Sequence, residues 1–107
     1  MSFIVVYITA AGEQEAKNIA GRLLEKRLIA CANIFPVQST YHWQGALVED
    51  AEFVALVKTR SEFWEIVKEE VLKTHSYQTP CIMKFEVEAN PEYERWIYKE
   101  TQIDGGL

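Results

Sequence analysis

The chain has no cluster of basic residues, no closely spaced cysteines and no long uninterrupted apolar stretch. Its 11 Lys and Arg are scattered among 16 Asp and Glu, for a formal net charge of −5. A phosphate-backbone partner needs a basic stripe, so nucleic acid is excluded as the expected ligand. The apolar run from Phe3 to Ala11 falls well short of the roughly 20 residues a spanning helix requires, which excludes a membrane anchor of that kind. No basic residue precedes that run, as an export leader would demand. Only 2 cysteines are present, Cys31 and Cys81, too far apart for a CxxC unit. They are expected as reduced thiols, and the expected compartment is the cytoplasm. Catalytic signatures are missing too: there is no HExxH, no Walker loop, no Gly-rich dinucleotide turn and no Ser-His-Asp order. The expectation is a protein that is not an enzyme.

What is present is patterned. Its length of 107 residues predicts one domain spanning 1–107. Phe3 to Thr9 is β-branched and aromatic, a buried strand. After Gly12, apolar residues at Ala16, Ile19, Ala20, Leu23, Leu24 and Leu28 follow helical spacing, with Glu13 and Glu15 in the first turn and Lys26 and Arg27 in the last. Leu28 to Pro36 forms a second strand, with Pro36 at a bulge or an edge. Val37, Ser39, Tyr41 and Trp43 then alternate with Gln38, Thr40 and His42, a two-faced arm that turns at Gln44-Gly45. The return strand runs through Ala46–Val48 and Phe53–Val57, interrupted at 49–52 by a bulge or bend.

Thr59 and Glu62 have capping-box spacing for a second helix, with Phe63, Ile66, Val67, Val71 and Leu72 as its apolar face. Residues 74–80 form a polar loop and Cys81–Val87 a strand. Asn90 caps, and Pro91 opens, a last helix with Tyr93, Trp96 and Ile97 on one face. The tail from Thr101 to Leu107 is expected to fray. This order, β-α-β-β-α-β plus a helix, predicts an α+β ferredoxin-like sandwich. Two helices then cover one sheet face. The other face carries more apolar surface than a lone subunit exposes, so the expected state is self-associated.

Several segments resemble the CutA-type divalent-cation-tolerance family. Arg27–Ile34 is similar to its RLAACVNI signature. Residues 39–45 resemble its S-x-Y-x-W-x-G arm, and Glu52 with Lys58-Thr59 its E…KT return strand. His75–Pro80 resembles its H-P-Y-E-x-P loop, and Trp96-Ile97 its closing helix. The resemblance implies a homotrimer whose hairpin extends a neighbour's sheet. It also implies binding of divalent metal ions, copper especially, and a part in metal tolerance, with no organic cofactor. The chain departs from the family loop at Ser76 and Gln78, and Cys81 stands where Glu is common. Gln78 lacks the charge a divalent cation favours, and the Cys81 sulfur suits Cu(I) or Zn.

The candidate metal ligands are therefore His75, Cys81 and Cys31. A complete site needs a third group beside His75 and Cys81, from Cys31 or Glu52 or from another subunit. Cys31, set among Ile29, Ala30, Ala32 and Ile34, reads first as a small buried hydrophobe. Tyr41, Trp43, Tyr77 and Trp96 read as aromatics that fill trimer contacts. The alternative is a signalling or protein-binding trimer of PII type, taking a small anionic effector in an inter-subunit cleft through Lys58, Arg60 and Gln78.

Overall fold

The structure, a computed structural model, describes residues 2–102. Four strands form one antiparallel sheet: β1 (Phe3–Ala10), β2 (Cys31–Trp43), β3 (Ala46–Thr59) and β4 (Ile82–Val87), in the order β2-β3-β1-β4. The helices are α1 (Glu13–Glu25), α2 (Trp64–Thr74) and α3 (Pro91–Glu100). Strand β3 inserts between β1 and β2, which is the split β-α-β arrangement of the ferredoxin-like fold. Alternation along each strand divides the sheet into two faces. Ile4, Val6 and Ile8 of β1 and Ala55 and Val57 of β3 pack with Ile19 and Leu23 of α1 and Phe63, Val67 and Val71 beside or on α2. That face is the core.

Pairing between β2 and β3 runs unbroken from Cys31↔Lys58 to Trp43↔Ala46. The interruption expected at 49–52 is therefore corrected. Glu49, Asp50, Ala51 and Glu52 face Thr40, Ser39, Gln38 and Val37 in a regular ladder. Their polarity marks a segment beyond the helices, where neither face packs on the core. Gln44 and Gly45 turn the hairpin with φ of 50° and 83°. Both central residues in the left-handed region define the turn that matches strand twist. Pro36 lies in the edge strand β2, where a missing N–H is tolerated.

Four local expectations fail for identifiable reasons. Helix α1 stops at Glu25, before the last turn expected at Lys26 and Arg27, because Arg27 adopts φ 60°. Leu28 N–H then bonds Leu23 O at 2.9 Å and Arg27 N–H bonds Leu24 O at 3.0 Å, a Schellman end that also buries Leu28. The capping box at Thr59 does not form. Thr59 Oγ1 instead donates to Leu28 O at 2.6 Å, a short 3₁₀ turn (Ser61–Phe63) follows, and α2 begins at Trp64. Ile66 and Leu72 are exposed, and Glu70 takes the buried place beside Val67 and Val71. At the C-terminus Thr101 is fully buried and accepts from Arg60 Nε at 3.0 Å, so the fraying expected there does not begin at Thr101. Residues 103–107 of that expected tail lie outside the described residues.

Helix α3 adds a feature the two-helix sandwich lacks. Tyr93 meets Phe3 edge-on at 6.1 Å and receives Lys58 Nζ on its hydroxyl at 3.3 Å, so α3 covers one end of the second sheet face. The rest of that face leaves Phe35, Met83, Phe85, Tyr41 and Trp43 exposed.

Glu70 joins the two core-side helices. Its carboxylate meets Lys73 Nζ and Lys26 Nζ, each at 2.9 Å. The hydrogen bonds from Lys73 and then Lys26 outweigh burial and hold its pKa at about 2. Since the folded value lies below the ordinary one, the stabilisation is complete above about pH 4.5 and is lost as pH falls toward about 2. Glu70→Gln should therefore flatten the fall of melting temperature with acidification across that window. An identical slope in the variant would contradict the assignment.

Candidate functional site

The site lies where the α2–β4 loop crosses the end of β1 and meets the side of the β2–β3 hairpin. Thr9 anchors the loop from both directions. Its carbonyl accepts His75 Nε2–H at 2.7 Å, and its N–H donates to Cys81 O at 3.4 Å. His75 Nδ1 in turn accepts Tyr77 N–H at 3.1 Å. Both ring nitrogens are thus engaged, Nε2 with the Thr9 carbonyl and Nδ1 with the Tyr77 amide. Glu15, from the first turn of α1, ties Ser76 through both N–H and Oγ at 3.0 Å and also accepts Ala11 N–H. Burial opposes its ionisation, but these bonds prevail and hold the Glu15 carboxyl below its ordinary range.

Held this way, the loop sends Tyr77 across to β3, where its hydroxyl donates to Glu52 Oε2 at 2.5 Å. On β3, Asp50 and Glu52 share a face, and cross-strand pairing places Tyr41 and Trp43 on that same face. A cleft of about 470 Å³ results, lined by Thr9, Tyr41, Trp43, Asp50, Glu52 and the loop residues Ser76–Thr79 and Cys81. It contains two carboxylates, a thiol and three aromatic rings, and none of its lining residues is Lys, Arg or His. Three acids here are shifted the same way. Burial and then the bond to Glu52 push the Tyr77 phenol well above its ordinary value. Burial, then Asp50 and Glu52, raise Tyr41. Burial and then Glu52 raise the Cys81 thiol. New negative charge is disfavoured in this cleft, and positive charge is favoured.

The three residues expected as metal ligands separate. Cys81 lines the cleft. His75 stands behind it, its ring 4.8 Å from that of Tyr77, and a metal on Nδ1 would have to displace Tyr77 N–H. Cys31 is elsewhere. It pairs across from Lys58, with Sγ 3.8 Å from Tyr93 Oη, under α3. Among the described residues no three His, Cys, Asp or Glu side chains form a group able to hold a metal ion. One chain therefore fits a metal only in part.

The anion contacts suggested by Lys58, Arg60 and Gln78 do not converge either. Gln78 lines the acidic cleft, whereas Lys58 lies six residues along β3 from Glu52, about 20 Å at about 3.3 Å per residue. Arg60 is committed to Thr101 Oγ1 and Tyr98 O and packs between the Phe63 and Tyr98 rings. Of the aromatics read as trimer contacts, Tyr41, Trp43 and Tyr77 share the cleft, while Trp96 stacks on Tyr93 at 5.7 Å. Asp50 was absent from the expected site. Its place was readable, because a two-residue turn at Gln44-Gly45 puts Tyr41, Trp43, Asp50 and Glu52 on one face.

A split β-α-β sheet, a long projecting hairpin and a loop pinned beside it define a ferredoxin-like fold with an acidic cleft. The chain belongs to the CutA1 family of divalent ion tolerance proteins, whose pattern matches residues 4–100. It is 48% identical over 93 residues to the divalent-cation tolerance protein CutA of Archaeoglobus fulgidus, covering 86% of this chain and 91% of that one. It is 44% identical over 95 residues to the Thermotoga maritima protein of the same name, covering 88% and 94%. The solved structure of the periplasmic divalent cation tolerance protein CutA from A. fulgidus superposes with a TM-score of 0.90 at 45% identity, covering 95% of this chain and all of that one. That relative corrects the cytoplasmic expectation. A relative of this fold at 45% identity is described as periplasmic, so two separated thiols do not assign the compartment. No helix among the described residues is long and apolar enough to cross a membrane.

Glu52→Gln removes the charge that raises Cys81. Alkylation of Cys81 at a fixed, mildly alkaline pH should then quicken about threefold, with Cys31 as internal reference. Peptide mass spectrometry reads both sites; an unchanged ratio would remove Glu52 from the account of the thiol.

Proposed function

We propose that the chain is a homotrimeric binding protein, not an enzyme, that takes up divalent metal ions, copper among them, and so contributes to metal tolerance. One observation carries this reading: the cleft gathers Asp50, Glu52 and Cys81 without a single basic residue. Carboxylate and thiolate donors together suit Cu and Zn. Cys81 and Glu52, with Asp50 beside them, are the donors one chain supplies; a group from a neighbouring copy completes the set. His75 keeps the loop in register and can ligate only after releasing Tyr77. Cys31 serves a separate place, under α3.

Two features support the assembly. Phe85 is 50% exposed and Met83 43%, on the sheet face that α3 leaves uncovered. The hairpin also projects beyond the helices with an edge strand unpaired in the single chain. The reading as a binding protein draws support from Cys81, whose thiol is held protonated and so is a poor nucleophile. The family and its relatives carry divalent-ion tolerance in their names.

Sedimentation equilibrium should return the mass of three chains, and a monomer would sink the assembly. Titration calorimetry with Cu(II) and Zn(II) should show saturable binding, weakened at least about tenfold by Cys81→Ser and by Glu52→Gln. Equal heats in all three proteins would remove the cleft as the metal site.

A further inference from the structure

The cleft is larger and more aromatic than a bare metal ion needs. Its volume, about 470 Å³, is that of a small-molecule pocket. Glu52 is only 6% exposed, yet no ion pair or basic neighbour compensates it among the described residues. A buried carboxylate without a countercharge is costly, and a bound cation removes that cost. Oε2 is bound by the Tyr77 hydroxyl, and since no buried side-chain oxygen among the described residues lacks a partner, the unbonded Oε1 is the oxygen left open to solvent. Around this charge stand the rings of Tyr41, Trp43 and Tyr77.

The chemistry of that lining discriminates between cations. A small divalent ion is strongly hydrated and needs several convergent donors, which the described residues of a single chain do not assemble. An alkylated ammonium ion is weakly hydrated, and the faces of Trp and Tyr stabilise it directly. Tyr77 gives its hydroxyl to Glu52, and Tyr41 shares the face of Asp50 and lines the same cleft. The Tyr77 hydroxyl therefore holds Glu52 in place while both tyrosines line the cavity.

We infer that this cleft binds a small organic cation of the quaternary or alkylated ammonium class, with Glu52 and Asp50 as counter-ions and Trp43, Tyr41 and Tyr77 as its aromatic walls. The inference rests on the reading of the cleft as a cation site and adds a second ligand class to it. Organic cation and metal ion then compete for the same carboxylates.

The test is an NMR titration of the intact protein with tetramethylammonium, reading the indole N–H signals of its tryptophans, with tert-butanol as the uncharged isostere. Trp43, assigned by its loss in Trp43→Phe, should shift saturably while Trp64 and Trp96 stay in place. Glu52→Gln should weaken binding about tenfold, and tert-butanol should leave the Trp43 signal unmoved. If Glu52→Gln fails to fold, Asp50→Asn, on the more exposed end of the strand, takes its place with the same expectation. Equal responses to tetramethylammonium and tert-butanol, or no Trp43 shift at all, would overturn the inference. Calorimetry with Zn(II) on the same preparation separates the two readings. Metal binding without the Trp43 response overturns only the organic-cation inference, whereas failure of both overturns the cation site itself.

Discussion

The unbroken ladder between β2 and β3 is the constraint on which the rest of the molecule depends. Thirteen residue pairs, from Cys31↔Lys58 to Trp43↔Ala46, keep one register along the whole hairpin. A slip of one residue would turn every side chain to the opposite face. Near its base the ladder sends Ala55 and Val57 into the core. Farther out it brings Asp50 and Glu52 onto the same face as Tyr41 and Trp43. Core and cleft are thus two consequences of one alignment, which is set by the tight turn at Gln44-Gly45.

The α2–β4 loop converts that alignment into a site. Its position owes little to apolar burial and much to fixed hydrogen bonds: His75 to Thr9 O, Glu15 to Ser76, and Tyr77 to Glu52. Each removes conformations that would leave the cleft open. The resulting cavity concentrates negative charge with no basic residue in its lining, and burial first, then that charge, makes Tyr77, Tyr41 and Cys81 resist ionisation. An electrostatic deficit of this kind is functional information, because a structural carboxylate would ordinarily be given a partner, as Glu70 is by Lys26 and Lys73.

Much of this was legible from residue order. Period-two alternation gave the arm and its turn, helical spacing gave both core-side helices, and the order of elements gave the ferredoxin-like sheet. The misses have local causes. Glu49–Glu52 looked like a break because polarity there reflects a strand that has left the core, and polarity alone cannot separate the two cases. Thr59 matched a capping box, but a tertiary acceptor, Leu28 O, claimed its hydroxyl. Arg27 in a left-handed conformation ended α1 without the glycine that usually signals such an end. At the site, His75, Cys81 and Cys31 were grouped by ligand chemistry. Separation across the sheet then set Cys31 apart, and backbone bonding occupied His75. Asp50 carried no ligand motif, and only its register with Tyr41 connects it to the cleft.

The claim at the centre of this account is that uncompensated carboxylates govern the cleft. Carbon NMR of the tyrosine rings across alkaline pH tests it most directly. The account predicts that Tyr77 ionises well above the ordinary phenol value of 10.0 and that removing the Glu52 charge brings it back down. A Tyr77 that titrates at the ordinary value, with or without that charge, would contradict it.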